Sequence, residues 1–326
     1  AQFSVPLLIG NLAQQLYSTV DSIVVGQYVG DGALAAVGAS NPVINLLLVL
    51  FIGISTGAGI MVSQYFGAKQ REQLSMTVGN CMTLTLLSSL VITVLGVVIT
   101  RPLMGLLNTP EEIFDMACDY MLIIFLGNVG TSYYNIVSGI LRGLGDSFTP
   151  LVFLLVACGL NIVLDLYFVA VLGMGVAGAA WATIISQIIS AILCILRLWR
   201  MKDIISIDRK TLRLHGFYAL QLARLGLPSG ITQGIFSLAM IVVQSLTNSM
   251  GTAVIACTTV VMRVDGFAMM PNFTFGTAMT TFAGQNMGAG LLDRTRQGTR
   301  AGLKLAVICA CILTLCILLF GENLMR

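Results

Sequence analysis

The sequence predicts an all-α integral membrane protein, and two observations carry that prediction. Of the 326 residues, 57% are hydrophobic and only 10% are charged. Soluble domains carry about 25% charged residues, so this chain lacks the side chains from which a water-exposed surface is built. The apolar residues also form continuous runs of about 20 or more, the length that crosses a bilayer as a helix. They do not show the polar–apolar alternation of membrane-spanning strands.

Breaks in the apolar runs predict about nine transmembrane helices. Glycine and proline mark many of the boundaries, as helix ends usually show. In chain order the predicted spans are roughly 3–28, 41–66, 74–100, 116–141, 150–171, 177–199, 218–249, 254–286 and 298–320.

The charged residues between the spans predict the orientation. One set of loops is basic, and it holds Lys69, Arg71, Arg142, the segment RLWRMKDIISIDRKTLRLHG, Arg294, Arg296 and Arg300. The opposite set holds Arg101 and a group of acids, Asp31, Glu111, Glu112 and Asp115. Because basic loops stay in the cytoplasm, we expect a multi-pass protein of the inner or plasma membrane with a cytoplasmic N-terminus.

An internal repeat predicts how the helices are organised. The stretch VPLLIGNLAQQLYSTVDSIVVGQYVGDGALAA is followed, about 221 residues later, by LPSGITQGIFSLAMIVVQSLTNSMGTAVIACTT, and QYFGAK (64–69) is followed at the same offset by QNMGAG (285–290). Six spans separate the copies, so both face the same way, which predicts two parallel six-helix repeats.

The repeat divides the chain into three parts. We expect an N-lobe of six helices over 1–200, a basic cytoplasmic linker over 201–217, and a partial C-lobe of three helices over 218–326. Because the second copy stops after three spans, the repeat also predicts three further helices beyond Arg326.

Two acids stand inside otherwise apolar spans. Asp21 follows LYSTV in the first span, and Asp165 closes NIVLD in the fifth. A carboxylate in mid-membrane costs about 2.5 to 3.5 kcal/mol on insertion scales and usually has a function. Asn161 lies four residues before Asp165, and Gln14 lies seven before Asp21, so each amide shares a helix face with its acid.

The sixth span adds Thr183 and Gln187 on one face. Carboxylate, amide and hydroxyl oxygens are the ligands of a small hard cation such as Na⁺. The same group suits a proton, because two nearby carboxylates in a low dielectric do not both ionise easily. The alternative interpretation is that these groups are interhelical hydrogen-bond partners without a transport role.

Three further positions receive structural predictions. Asp265 stands two residues after Arg263 in the eighth span, so we expect a structural ion pair there. Pro271 is expected to break or bend the same span. Pro6 either bends the first span or occupies its first turn, where proline is tolerated.

Several motifs in this order resemble the multidrug and toxic compound extrusion (MATE) family. They are STVDSIVVG, QYFGAK, RGLGDSFTP (142–150), NIVLD and the six-plus-six repeat. The resemblance implies two six-helix lobes around a central cleft that is exposed alternately to the two sides of the membrane. It also implies that the last three helices of the fold are lacking in this chain.

By position, the resemblance carries over a cation site. Asp21, Asn161, Asp165 and Thr183 match residues that bind Na⁺ or H⁺ in the DinF-like branch of the family. Gln14 matches a polar position of the same cavity, and Pro6 matches a proline at which the first helix bends. The seventh span has no acid, which favours the DinF-like branch over the NorM-like branch, where an acid lies on that helix.

We therefore expect a secondary active antiporter that exports organic cations or drugs in exchange for Na⁺ or H⁺. The alternative is a flippase for lipid-linked oligosaccharides, which needs basic residues in its cleft. Tyr17, Tyr133, Tyr134 and Gln187 are candidates for lining a cavity suited to flat apolar cations. The alternative for the three tyrosines is a lipid-facing position.

Other classes of function are disfavoured. The chain has one histidine, His215, and therefore no HExxH motif. Its eight cysteines form no CxxC pair, so neither a metal beyond Na⁺ nor a cofactor is expected. A net charge of +3 is too small to indicate nucleic acid. We expect a monomer that contacts membrane lipids and small organic cations, and no enzyme activity.

Overall fold

A computed structural model describes residues 3–106, 109–249 and 252–324, although some side chains within these ranges, including that of Arg263, lie outside the description. In these ranges the chain forms eleven α-helices and one π-helical segment. The helices are α1 (Ser4–Tyr28), α2 (Asp31–Gly67), α3 (Arg71–Leu106), α4 (Glu111–Leu126), α5 (Asn128–Gly143), α6 (Phe148–Asp165), α7 (Gly175–Arg200), α8 (Arg209–Leu212), α9 (Gly216–Ser249), α10 (Thr252–Gly288) and α11 (Leu292–Leu324). The π-helical segment, Leu166–Val171, follows α6 directly.

The helices fall where the sequence predicts them, and the all-α membrane class is confirmed. Within the described ranges, four helices are long and apolar enough to cross a membrane, or five if the bent pair α4–α5 forms one span. The count of nine spans therefore stays a prediction.

The fourth predicted span, 116–141, is not one straight helix. It is divided at Gly127 into α4 and α5, which meet at an angle of 50°. A Cβ atom at Gly127 would overlap the side chain of Ile184 on α7. The break therefore lies where the backbone approaches α7 too closely for any larger residue.

The two prolines for which the sequence predicts an effect, Pro6 and Pro271, lie at different places in their helices. Pro6 lies in the first turn of α1, where its missing N–H removes no helical hydrogen bond. Pro271 lies inside α10, which continues to Gly288, so of the two predicted alternatives, a break or a bend, the described helix shows no break. In a membrane, ending the helix would leave further backbone groups without partners, which favours continuing through a proline. A bend at either proline stays a prediction.

Glycines bring α2 and α9 into backbone contact. A Cβ atom at Gly53 would lie 2.8 Å from the carbonyl oxygen of Gly226, and one at Gly57 would lie 2.8 Å from that of Leu222. These glycines belong to the stretch GISTG, which matches the GxSxG pattern of serine hydrolases. Here the pattern lies within a helix, and its glycines serve close helix packing.

The ends of α2 and α10 cross in a symmetric way that reflects the sequence repeat. A Cβ atom at Gly67 would overlap the backbone carbonyl of Gln285, and one at Gly288 would overlap that of Gln64. Each glycine and each glutamine corresponds to the other at the repeat offset of about 221 residues. The repeat therefore places two equivalent glycines at the point where two equivalent helices meet.

Candidate functional site

The two acids of the apolar spans face each other inside the helical bundle. Asp21 on α1 is 8% exposed, and Asp165 at the end of α6 is fully buried. Their carboxyl groups are neighbours, close enough to interact electrostatically. Asp165 is the last α-helical residue before the π-helical segment, a helix type that is often found at functional sites.

Asn161 and Thr183, which the sequence predicts as neighbours of the two acids, lie in the same cluster. The side-chain amide of Asn161 donates a hydrogen bond of 3.5 Å to the hydroxyl of Thr183 on α7. The hydroxyl of Tyr17 on α1 lies beside Thr183 and close to both carboxyl groups. The structure thus brings together Asp21, Asn161, Asp165 and Thr183, the four residues predicted to form one cation site.

Many polar atoms of this site are buried without a hydrogen-bond partner. Among the described residues, the buried oxygens in this condition belong to Tyr17, Asp21, Asn161, Asp165 (both carboxyl oxygens) and Gln187. Most of them are acceptors, because an amide oxygen and the oxygens of an ionised carboxylate accept hydrogen bonds but cannot donate them. Burying an unpaired acceptor costs about 1 to 3 kcal/mol, so a positive charge or a hydrogen-bond donor would stabilise this cluster.

The arrangement of oxygens suits two occupants. A proton shared between Asp21 and Asp165 would turn one carboxylate into a donor and neutralise one charge. A Na⁺ ion would be held by the carboxylates with the oxygens of Asn161 and Thr183 around it, since these are hard oxygen ligands. Within the described residues no group of three His, Cys, Asp or Glu side chains could hold a metal ion.

A polar cleft lies between α1 and α10. It has a volume of about 410 Å³ and is lined by Asn11, Gln14, Gln15, Gly266, Met270 and Phe273. The side-chain amide of Asn11 donates a hydrogen bond of 3.1 Å to the hydroxyl of Thr274, which joins the two helices. Gln14 lines this cleft, while Asp21 lies two turns further along α1, so a cavity shared by Gln14 and the cation site stays a prediction.

Two tyrosines predicted to line the cavity do not reach the cleft. Tyr133 donates a hydrogen bond of 2.9 Å to the backbone oxygen of Met82. Tyr134 is buried, with its hydroxyl 3.5 Å from the backbone oxygen of Pro150. Tyr134 belongs to an apolar core to which α2, α3, α5, α6 and α7 contribute, and Tyr133 packs against that core. Neither tyrosine lines the cleft between α1 and α10, and their predicted cavity role stays a prediction.

The predicted ion pair of the eighth span lies partly outside the described residues. The side chain of Arg263 is not described, and Asp265 is exposed on α10. The pair therefore stays a prediction.

The sequence did not predict two buried polar residues, of which Tyr120 belongs to the site. Tyr120 on α4 is buried and lies close to both carboxyl groups. Asn128 is buried at the break between α4 and α5, and its side-chain nitrogen has no hydrogen-bond partner. Asn128 is a polar residue in an otherwise apolar run, and that signal could have pointed to it, whereas Tyr120 directly follows Asp119 and carries no such signal.

A helical membrane bundle with two buried acids that face each other, and with a polar cleft between α1 and α10, is typical of a membrane transporter. The chain belongs to the MatE family, whose model matches residues 6–167 and 228–326. This match confirms the predicted MATE resemblance, and membership of a transporter family confirms that the chain is not an enzyme. The DinF-like branch stays a prediction.

Relatives and solved structures agree with this assignment. The chain is 34% identical over 332 residues to the probable multidrug resistance protein YoeA of Bacillus subtilis, covering 99% of this chain and 71% of that protein. It is similar to a solved structure of MATE in the bent conformation, with a TM-score of 0.93 and 26% identity over 99% of this chain and 72% of that one. An outward-facing MATE family transporter gives a TM-score of 0.92 and 27% identity, again over 99% and 72%.

Proposed function

We propose that the chain acts in a secondary active antiporter that exports organic cations or drugs in exchange for H⁺ or Na⁺. The observation that carries the proposal is the cluster of buried, unpaired oxygens around Asp21 and Asp165. The names of the relatives support the export of drugs, since YoeA is described as a probable multidrug resistance protein.

The cation site supplies the coupling. With an ion bound, the charge of Asp21 and Asp165 is balanced and the site can be dry. With the ion gone, the bare carboxylates favour a hydrated site, because an unpaired buried charge is costly. An ion shifts two conformations only by its differential affinity for them, and this difference in hydration provides it.

The cleft between α1 and α10 favours an organic substrate of modest polarity. Phe273 and Met270 offer apolar contacts, and the amides of Asn11, Gln14 and Gln15 offer hydrogen bonds. The described lining contains no basic residue. A flippase for lipid-linked oligosaccharides needs basic groups to hold phosphates, so the cleft disfavours that alternative.

The wider organisation belongs to the same proposal. The helices up to residue 200 form the N-lobe, residues 201–217 form a cytoplasmic linker, and residues 218–326 belong to the C-lobe. The protein lies in the inner or plasma membrane with its N-terminus in the cytoplasm, and it works as a monomer. The basic loops support this orientation.

The test is efflux from proteoliposomes that contain the purified chain, with one gradient imposed at a time. Ethidium serves as the fluorescent organic cation. We expect efflux under a proton gradient or under a Na⁺ gradient, and none in liposomes without gradient. If neither gradient drives efflux in a chain that is folded by its melting profile, the antiport proposal is wrong for this chain.

A further inference from the structure

The segment between α7 and α9 is fastened to the surface of α3. The hydroxyl of Thr83 donates a hydrogen bond of 2.6 Å to the backbone oxygen of Leu212. Asn80 makes two contacts, since its amide nitrogen lies 3.5 Å from the backbone oxygen of Arg213 and its amide oxygen accepts a bond of 2.7 Å from the backbone N–H of His215. This segment is therefore a fixed part of the molecule.

The α3 groove is shaped for this attachment. A Cβ atom at Gly79 would overlap the backbone carbonyl of Thr211, so the segment lies directly on the α3 backbone. One turn earlier, Ser75 accepts a hydrogen bond of 3.0 Å from the backbone N–H of Ser206. Ser75, Gly79, Asn80 and Thr83 thus form one continuous stripe along α3.

The attachment satisfies backbone groups that water would satisfy in an ordinary exposed loop. Backbone polar groups need hydrogen-bond partners within the protein where water is scarce, and water is scarce near the hydrocarbon of a bilayer. The depth agrees with such a place. The first large hydrophobic residues that are exposed on α3 are Leu86 and Leu87. They lie about one turn beyond Thr83, since a helix rises about 1.5 Å per residue. The fastened segment therefore lies at the polar–apolar boundary of the bundle.

The exposed side chains of the segment have the composition of a membrane interface. Leu214 is 44% exposed and Phe217 is 63% exposed, and Leu212 is also exposed. Arg209 and Arg213 are exposed among them and form no ion pair with any described residue. We call these five residues the interfacial belt.

We propose that the interfacial belt binds the headgroup of an anionic phospholipid, with its arginines on the phosphate and its apolar residues in the acyl chains. Charge complementarity selects the anionic headgroup, because a basic cluster beside a transmembrane helix is attracted to anionic lipid. Arginine suits a phosphate because its planar guanidinium can donate two parallel hydrogen bonds. This site is separate from the buried acids and does not depend on the transported substrate.

The experiment is native mass spectrometry of the chain in neutral detergent, with equal amounts of dioleoylphosphatidylglycerol and dioleoylphosphatidylcholine. The wild-type chain is expected to retain the anionic lipid preferentially. Arg209→Gln with Arg213→Gln should lower that preference about tenfold or more, since each basic residue near an anionic surface contributes about fivefold. Arg209→Lys with Arg213→Lys should retain most of the preference.

The matched control is Arg294→Gln with Arg296→Gln, which removes two exposed basic residues at the start of α11. An unchanged preference in the Arg209/Arg213 glutamine variant, or an equal loss in the control, would overturn the proposal. Glycerol 1-phosphate tests for a soluble ligand. If it displaces the lipid at equal concentration, the site is a phosphate site and the lipid proposal is wrong. Melting curves in phosphatidylcholine alone show that each variant is folded.

Discussion

The side-chain amide of Gln285, at the end of α10, donates a hydrogen bond of 2.9 Å to the backbone oxygen of Gly143, at the end of α5. Gly143 begins the turn of the RGLGDSFTP motif, in which Asp146 accepts hydrogen bonds of 3.0 and 2.7 Å from Thr149 and pairs with Arg197 at 3.3 Å. The second repeat therefore contacts the most distinctive turn of the first. The cation site does not use this motif. The motif instead forms part of the contact between the two repeats, near the ends of α2 and α10.

Loss of the Gln285–Gly143 hydrogen bond should weaken the contact between the two repeats and lower the stability of the protein. Gln285→Ala leaves the Gly143 carbonyl without its side-chain donor, which should cost about 1 kcal/mol of stability. The measurement is the melting temperature of the purified chain. Gln297→Ala is the control, because Gln297 is exposed on α11. Equal melting temperatures for the two variants would contradict a role for Gln285 in this contact.

The symmetric glycine crossing predicts equal effects at equivalent positions. Gly67→Ala and Gly288→Ala each place a methyl group against the backbone of the opposing helix, so each should lower stability by about 1 to 3 kcal/mol. Gly276→Ala is the control on α10, because a Cβ atom there meets nothing within 4 Å. It should raise stability slightly, since alanine favours a helix over glycine. A loss of stability in all three variants would show that the crossing has no special role.

The paired acids predict a specific loss of transport. Asp165→Asn keeps the shape of the side chain but cannot alternate between charged and neutral forms, so gradient-driven efflux should fall to background while the protein stays folded. Asp21→Asn should do the same, and the double variant should be little worse than either single one, because the two residues act as one unit. Efflux from proteoliposomes measures all three.

Asp119→Asn is the matched control for the acids. Asp119 is exposed on α4, next in the chain to Tyr120 of the site, and its loss should leave efflux unchanged. Normal efflux in the Asp165→Asn protein would leave the two acids as structural hydrogen-bond partners only.

The predicted orientation can be read from cysteine labelling. A cysteine at the exposed Asp203, in the linker, should react with a membrane-impermeant maleimide only from the cytoplasmic side. A cysteine at the exposed Glu112, before the buried part of α4, should react only from the outside. The wild-type chain corrects for its own cysteines, of which Cys81, Cys118 and Cys194 are buried. Labelling of both positions from the same side would overturn the topology.

Attachment of the linker to α3 predicts protection from protease. Asn80→Ala removes the partner of two backbone groups, at Arg213 and His215, so trypsin should cleave after Arg213 much faster than in the wild-type chain. Ser89→Ala is the control, because the buried Ser89 hydroxyl bonds only its own helix, at the backbone oxygen of Leu86. Equal cleavage rates in the two variants would mean that the linker is not held by Asn80.

Much of the site could be expected from the sequence because helical spacing is a local property. Asn161 and Asp165 share a face of α6 whatever surrounds that helix. The opposition of Asp21 and Asp165 was expected only through the resemblance to a family. The orientation of Tyr133 and Tyr134 could not be expected, because neighbouring residues on one helix face different partners according to how the helix is rotated in the bundle.

The sequence by itself determined that the protein lies in a membrane, and it determined the positions of the helices along the chain. Both follow from composition and the length of the apolar runs, which govern transfer from water to lipid. The internal repeat is likewise a property of the sequence alone. The tertiary structure decided which polar groups meet. It set the break at Gly127 where the backbone meets Ile184, and it placed the linker in the groove at Gly79. It also gathered the unpaired oxygens around Asp165. Each of these depends on the rotation and close approach of helices that are distant in the chain, and no local sequence pattern fixes such contacts.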